Sequence, residues 1–407
     1  MQHSNIGISS KVGRSVYLSK YEEKILDGEE GLVLQEAYKV IVKVGEILGA
    51  ERLVPISKAH VSGISYKNIG DHGLDFINTL VKKGGKFRCY TSLNPAAFDL
   101  TKWREFRVTK EYYKKQVKII SSLKAMGART ILSCTPYLIN PPKKNEQIAW
   151  GESNAVLYAN SILGARTNRE GGPLVIYEAI AGKAPYFGLR RKEERKPELF
   201  VDLSKLPKTT HPGIIGFYIG LLLKKGVPYI NGFRFRNEYD IRSFLAAIGA
   251  SSSIGLVLIE RLSPELKSYD TLGFEERVSI DMKDITQCME NFQSDDLSNS
   301  VIALGCPHLS VVEFRKILNI ILNKEISRKL VLFTSRITYN LIKGIIRCLE
   351  RKNVKVYTDT CMVVSPLFNK DVTIITDSVK AAYYLSSQGY KVHLVSREEA
   401  IRLSLVS

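Results

Sequence analysis

The carboxyl-terminal third of the chain alternates between two hydrophobic periods. Val301 to Gly305, Leu330 to Thr334, Val354 to Tyr357, Val372 to Thr376 and Val392 to Val395 are short β-branched apolar runs, the pattern of buried strands. Between them, Ser310 to Leu322, Tyr339 to Arg351 and Val379 to Ser387 space their apolar residues three and four apart, as helices do. Strands and helices in alternation predict βαβ units around a parallel sheet, so the fold class is α/β.

The first 180 residues are more mixed. Leu32 to Leu48 and Lys110 to Met126 carry helical spacing, and the second closes at Gly127 before a strand expected over Thr130 to Ser133. Gly151 to Leu163 and Leu174 to Ala181 are further helix candidates. Residues 182–212, rich in Lys, Arg and Pro, read as an irregular basic insertion. A buried helix over His211 to Leu223 and a polar-interrupted stretch to about Ser298 follow. The polar cluster Asp295 to Ser300 sets the expected boundary. Two α/β domains are expected in 1–298, with the insertion inside them, and a βαβ domain in 299–407.

A chain of 407 residues, 44% hydrophobic and 25% charged, can bury a core without disulfide staples. Its 59 Lys and Arg against 41 Asp and Glu give a net charge of +18. Such a charge suits nucleic acid, an anionic membrane surface or an acidic substrate. The basic residues are dispersed and form no zinc-finger, RNP-type or basic-zipper pattern, which leaves a nucleic-acid-binding protein as the distant alternative. Met1 to Arg14 lacks an apolar secretion stretch. The longest apolar run, Gly213 to Leu223, stops at Lys224 and Lys225, short of the roughly 20 residues of a membrane span. A cytoplasmic protein without membrane or nucleic-acid partners is expected.

The six cysteines form no CxxC pair, so their settings matter more than their spacing. Cys134 follows the strand expected at Thr130 to Ser133, Cys306 follows Val301 to Gly305, and Cys361 follows Val354 to Tyr357. Open α/β sheets bind ligands at the carboxyl ends of their strands, and three thiolates there could hold an iron–sulfur cluster or a zinc ion. The plainer alternative is three buried small side chains. Cys89, just before a loop, is an undecided fourth candidate, whereas Cys288 and Cys348 lie in polar or helical segments.

Polar loops add candidate anion sites. His60 to Ser65 and Ser92 to Pro95 are turns whose backbone N–H groups could face an anion. Ser153 and Asn154 open a helix, and Arg166 and Arg169 are spaced for a common target. Lys380, near the start of the helix after Thr376, could pair with a phosphate or carboxylate. Ordinary caps, turns and surface charges are the competing reading of each.

Taken together, six blocks resemble the large subunits of the aconitase X family, and within it the archaeal phosphomevalonate dehydratases. They are Ala59 to Gly63, Ser92 to Pro95, Ser133 to Tyr137, Glu152 to Ala155, Asn160 to Arg169 and Gly305 to His308. The resemblance runs from about residue 16 to 400. It implies an aconitase-like core of three α/β domains with parallel or mixed sheets and a cluster between domains at the strands' carboxyl ends. It places the cluster ligands on Cys134, Cys306 and Cys361, with 4Fe-4S as the expected form and 3Fe-4S as its degraded form. Substrate contacts would fall on Gly63, Ile64, Ser65, Asn94, Pro95, Ser153, Asn154 and Lys380, and Arg166 is a further cationic candidate. Classical aconitase has a CxxC ligand pair that this chain lacks.

The implied reaction dehydrates 5-phosphomevalonate in an archaeal mevalonate pathway of isoprenoid biosynthesis. It implies a heterodimer with a small subunit equivalent to aconitase's swivelling domain, whose serine would serve as the base. The family alternative is cis-3-hydroxy-L-proline dehydratase, in which the small domain is often fused; a chain ending at Ser407 has no room for that domain, so the separate-subunit enzyme is expected. A structural zinc protein is a third possibility.

Overall fold

Three parallel sheets frame the chain in the computed structural model, which describes residues 8–9, 16–268, 273–274 and 276–405. In the first, Lys58–Val61 lies between Tyr90–Leu93 and Ile148–Trp150. The second runs in the order Leu258–Ile259, Pro228–Asn231, Leu199–Asp202 and Glu276–Ser279. The third centres on Ser300–Leu304, with Leu330–Thr334 and Lys355–Thr358 on one side and Thr373–Thr376 and Val392–Leu394 on the other. Two antiparallel ribbons, Ile8–Ser9 with Leu18–Ser19 and Leu53–Pro55 with Lys183–Pro185, complete the pairing.

The third sheet realises the alternation read from the sequence. Every residue of Leu330–Thr334 and Thr373–Thr376 is buried, as expected of strands covered on both faces. The helix expected over Tyr339 to Arg351 is two, Arg336–Leu341 and Lys343–Arg351. They divide at Ile342, where φ of −123° and ψ of 32° leave the helical region.

Helices in the first half follow their apolar stripes. Leu32–Ile47 buries Val33, Leu34, Ala37, Tyr38, Ile41 and Val42, one face at helical spacing. Lys110–Ala125 starts at Thr109, whose hydroxyl accepts from the Tyr112 N–H at 3.1 Å. Pro212–Leu223 packs along Glu238–Ser251 at very close range. A Cβ on Gly216 would meet the Phe244 carbonyl oxygen at 2.3 Å, so glycine sets the helix separation.

Three expectations need correction. Thr130 to Ser133 is no strand: Leu132 turns to a φ of 43°, out of the extended region, and the ladder shrinks to one bridge between Ser92 and Arg129. Residues 182–212 are not merely an irregular insertion, because Lys183–Pro185 and Leu199–Asp202 are strands within it. Its arginines misled because Arg190 and Arg195 are fully buried, paired with Glu170 and Glu265. The stretch up to Ser298 likewise holds strands of the second sheet and the helices Glu238–Ser251 and Met282–Glu290. The brevity of Leu258–Ile259 and the exposed polar residues of Glu276–Ser279 hid the strand pattern there.

Candidate active site

The first and third sheets direct their carboxyl ends at one cavity of about 540 Å³. From the first sheet come the loop Ser62 to Ser65 after Lys58–Val61, Asn94 and Pro95 after Tyr90–Leu93, and Gly151 to Asn154 after Ile148–Trp150. From the third come Cys306 after Ser300–Leu304, Cys361 after Lys355–Thr358, and Lys380 after Thr373–Thr376. The sheets are stitched edge to edge. The Ala96 N–H donates to the Asp359 carbonyl at 2.7 Å, and the Cys361 N–H to the Ala96 carbonyl at 2.9 Å. Parallel sheets place ligands at such junctions.

Cys134, Cys306 and Cys361 all line this cavity. Cys134 reaches it although its segment is no strand, because the Ser133 N–H holds to the Leu93 carbonyl at 3.2 Å beside the neighbouring strand end. Burial pushes the Cys306 thiol up to about 12. Burial also raises Cys134 and Cys361, each further opposed by the charge of Glu152. Among the described residues no three His, Cys, Asp or Glu side chains gather closely enough to hold a single metal ion. Three soft donors from three separate segments lining one cavity suit the iron–sulfur clusters that thiolates hold. Cys89 lies apart, packed beside Thr91 under another part of the core.

Beside the thiols sits a buried ion pair. Lys380 Nζ donates to Glu152 Oε1 at 2.5 Å and to Ser153 Oγ at 3.3 Å. Glu152 also accepts from Asn94 Nδ2 at 2.8 Å and Asn154 Nδ2 at 3.0 Å. Burial alone would raise the Glu152 carboxyl, but Lys380 and the amides outweigh it and hold it at about 2. Burial would lower Lys380, and Glu152 reverses this, so the ammonium is retained. Behind Asn94, the ring of His60 is fully buried between Ser92 Oγ at 2.9 Å and Asn94 Oδ1 at 3.2 Å. Burial lowers His60 to about 4, so the ring is neutral.

The sequence candidates Gly63, Ile64, Ser65, Asn94, Pro95, Ser153, Asn154 and Lys380 all line the cavity. Arg166 does not; its guanidinium donates to Asn145 Oδ1 at 3.2 Å and to the Arg190 carbonyl at 3.4 Å. Arg169 does face the cavity, so the two arginines share no target. The segment pairs with Gln147 in an extended bridge, and side chains three apart on extended backbone leave on opposite faces. Glu152, His60, His308 and Lys67 were given no role in the sequence reading. Glu152 was within reach, standing next to Ser153 and Asn154 at the start of the same helix.

A multidomain α/β protein with thiols, a buried ion pair and polar loops at the strand ends is the class that fold and site define. Family comparison agrees: residues 15–193, 197–290 and 299–405 match the aconitase X first, second and third domains respectively. The chain belongs to the aconitase X family.

It is 38% identical to the phosphomevalonate dehydratase large subunit of Methanocaldococcus jannaschii, covering 91% of this chain and 96% of that protein. The crystal structure of Thermococcus kodakaraensis aconitase X in its holo-form superposes with a TM-score of 0.89 at 38% identity, over 96% of this chain and 100% of that one. The cis-3-hydroxy-L-proline dehydratase of Hypocrea jecorina is 32% identical over 93% of this chain but only 66% of its own length. The fold is thus the aconitase-like α/β architecture expected from the sequence. Among the described residues no helix is long and apolar enough to cross a membrane.

Proposed function

We propose that this chain is the large subunit of a cytoplasmic hydro-lyase that dehydrates (R)-5-phosphomevalonate to trans-anhydromevalonate 5-phosphate, a step of a modified mevalonate pathway. The carrying observation is the convergence of Cys134, Cys306 and Cys361 on the cavity that holds the Lys380–Glu152 pair. Support comes from five archaeal proteins named phosphomevalonate dehydratase large subunit, 36% to 38% identical to this chain. Those names also support a small-subunit partner, and on this reading the working enzyme is a heterodimer.

Dehydration removes a proton from C2 and the hydroxyl from C3, leaving a C2–C3 double bond and water. Cys134, Cys306 and Cys361 would hold a 4Fe-4S cluster, which when bound supplies Lewis acidity toward the departing hydroxyl through its iron lacking a protein ligand. Lys380, kept cationic by Glu152, sets a positive charge where the substrate's carboxylate would gain from it. Asn94, Ser153 and Asn154 supply polar side chains, and the Gly63 to Ser65 loop supplies backbone N–H groups. The fixed amides of Asn94 and Asn154 orient Glu152 before substrate arrives. The serine that takes the C2 proton belongs, on this reading, to the small subunit.

Anaerobic co-expression with a candidate small subunit, followed by assay on 5-phosphomevalonate and cis-3-hydroxy-L-proline, tests the reading. Dehydration of phosphomevalonate alone is expected. Preference for hydroxyproline would overturn the substrate assignment and keep the reaction type.

A further inference from the structure

Three cationic side chains line the cavity, Lys67, Arg169 and Lys380, and their surroundings give them different work. Lys380 is committed to Glu152 in a pair whose side chains are each 12% exposed. Arg169 is exposed and its Nη1 donates to the Ser252 carbonyl. Lys67 is exposed as well and likewise meets no carboxylate among the described residues, but it stands beside the Gly63 to Ser65 loop. Its Nζ donates to the neutral Oε1 of Gln388 at 2.8 Å, a contact between residues 321 positions apart. Burial and the like charge of Lys370 oppose its ammonium, and Cys361 favours it. A cation resting against a neutral amide gains when an anion arrives.

The wall around Lys67 is also built for an anion. Lys67 stands two residues after Ser65, the end of the Gly63 to Ser65 loop, and its own N–H is taken by Ser65 Oγ at 3.2 Å. No acceptor among the described residues takes the backbone N–H of Gly63, Ile64 or Ser65. The turn that carries Lys67 is set off from the following helix at Gly70, with φ of 56° and ψ of −158°, a conformation reserved for glycine. Gln388, at the end of the helix Val379–Ser387, is fixed by its Nε2, which donates to the Val363 and Tyr384 carbonyls at 3.0 and 2.9 Å. Its oxygen therefore stays aimed at Lys67. With Lys380 already paired to Glu152, Lys67 and Arg169 are the cavity cations that meet no carboxylate among the described residues.

We propose that Lys67 is the residue that reads the terminal phosphate of the substrate, exchanging Gln388 for a phosphate oxygen when phosphomevalonate binds. This rests on the dehydratase reading above and names its specificity determinant. A substrate without phosphate leaves Lys67 on Gln388, so the residue discriminates between phosphorylated and unphosphorylated acids and takes no part in the chemistry.

The test uses the cluster-loaded heterodimer with three variants, Lys67→Gln, Lys67→Arg and Gln388→Glu. Lys67→Gln should lower kcat/KM for 5-phosphomevalonate by roughly 10- to 100-fold, the loss of one charge-assisted contact. The loss should fall mainly on KM, while the residual rate with mevalonate stays within about 3-fold of wild type. Lys67→Arg should recover most of it. Gln388→Glu, which gives Lys67 a permanent internal anion, should reproduce the selective loss without touching Lys67. Calorimetry with inorganic phosphate should show binding to wild type and not to Lys67→Gln. Equal losses on both substrates, or phosphate binding indifferent to Lys67→Gln, would overturn the proposal. A complex that dehydrates neither acid yet binds phosphate through Lys67 would refute the dehydratase reading and leave the phosphate site standing.

Discussion

The backbone N–H of His308 donates to Cys134 Sγ at 3.3 Å, across 174 positions of sequence. The same residue stands two positions after Cys306, and its ring Nε2 donates to the carbonyl of Thr360, next to Cys361, at 2.8 Å. Ring Nδ1 accepts from Ser133 Oγ, next to Cys134, at 3.4 Å. One side chain thereby ties together the three segments that bear the cavity thiols. Burial lowers His308 to about 4, and a neutral ring offers the one donor and one acceptor that this arrangement uses.

Replacing any of Cys134, Cys306 or Cys361 by Ser should remove the visible iron–sulfur absorption and the activity together. A hard hydroxyl substitutes poorly for a soft thiolate. Cys348→Ser, outside the cavity lining, should keep both. Iron and acid-labile sulfide analysis of anaerobically purified variants makes the comparison, and full cluster content in Cys361→Ser would end the ligand assignment.

The isolated chain should load its cluster and turn over substrate negligibly, since the base is assigned to the small subunit. Titrating the small subunit into the loaded chain should restore dehydration and saturate at one equivalent. Comparable turnover by the chain alone would put the base among its own residues.

Glu313 predicts acid sensitivity. Burial alone would raise its carboxyl, but Arg242 and Arg397 draw it down to about 2, with the Ser310 hydroxyl also donating to it. A depressed carboxyl stabilises the fold above its ordinary value near 4.5, and that stability is lost as pH falls from there through about 2. The contribution is on the order of 3 kcal/mol. Denaturant melts at pH 7 and pH 3 should therefore show a larger drop for wild type than for Glu313→Gln. Glu313→Gln should also be less stable at pH 7 by about 3 kcal/mol or more, with two buried arginines left short of charge. Identical pH dependence in both proteins would remove Glu313 from the account.

Gly216→Ala should destabilise by about 1–3 kcal/mol, because the new Cβ would strike the Phe244 carbonyl at 2.3 Å and force two packed helices apart. Gly344→Ala, where a Cβ meets nothing within 4 Å, should be neutral or slightly stabilising. Thermal melts of the two variants separate packing from a general glycine effect.

Much of the molecule was legible in one dimension. The βαβ alternation after residue 300 announces itself because its strands are buried on both faces, so each is a continuous apolar run. Cys306 and Cys361 stand at strand ends that the same pattern reveals, and the loops at Gly63, Asn94 and Ser153 follow apolar segments. The second sheet was not legible, because Leu258–Ile259 is only two residues long, Pro228–Asn231 opens on a proline, and Glu276–Ser279 is mostly exposed and polar. Arg190 and Arg195 looked like surface charge and are core, since Glu170 and Glu265 neutralise them there.

What the sequence determined was local: periods, caps, and which residue types stand where a strand ends. The tertiary structure decided which of those ends meet. Lys380 finds Glu152 across 228 positions, Lys67 finds Gln388 across 321, and Arg166 is turned away from the cavity to Asn145. No periodicity encodes these pairings, because they arise from two sheets facing each other through their carboxyl ends. A charge's work is set by what lies within a few ångströms of it in space.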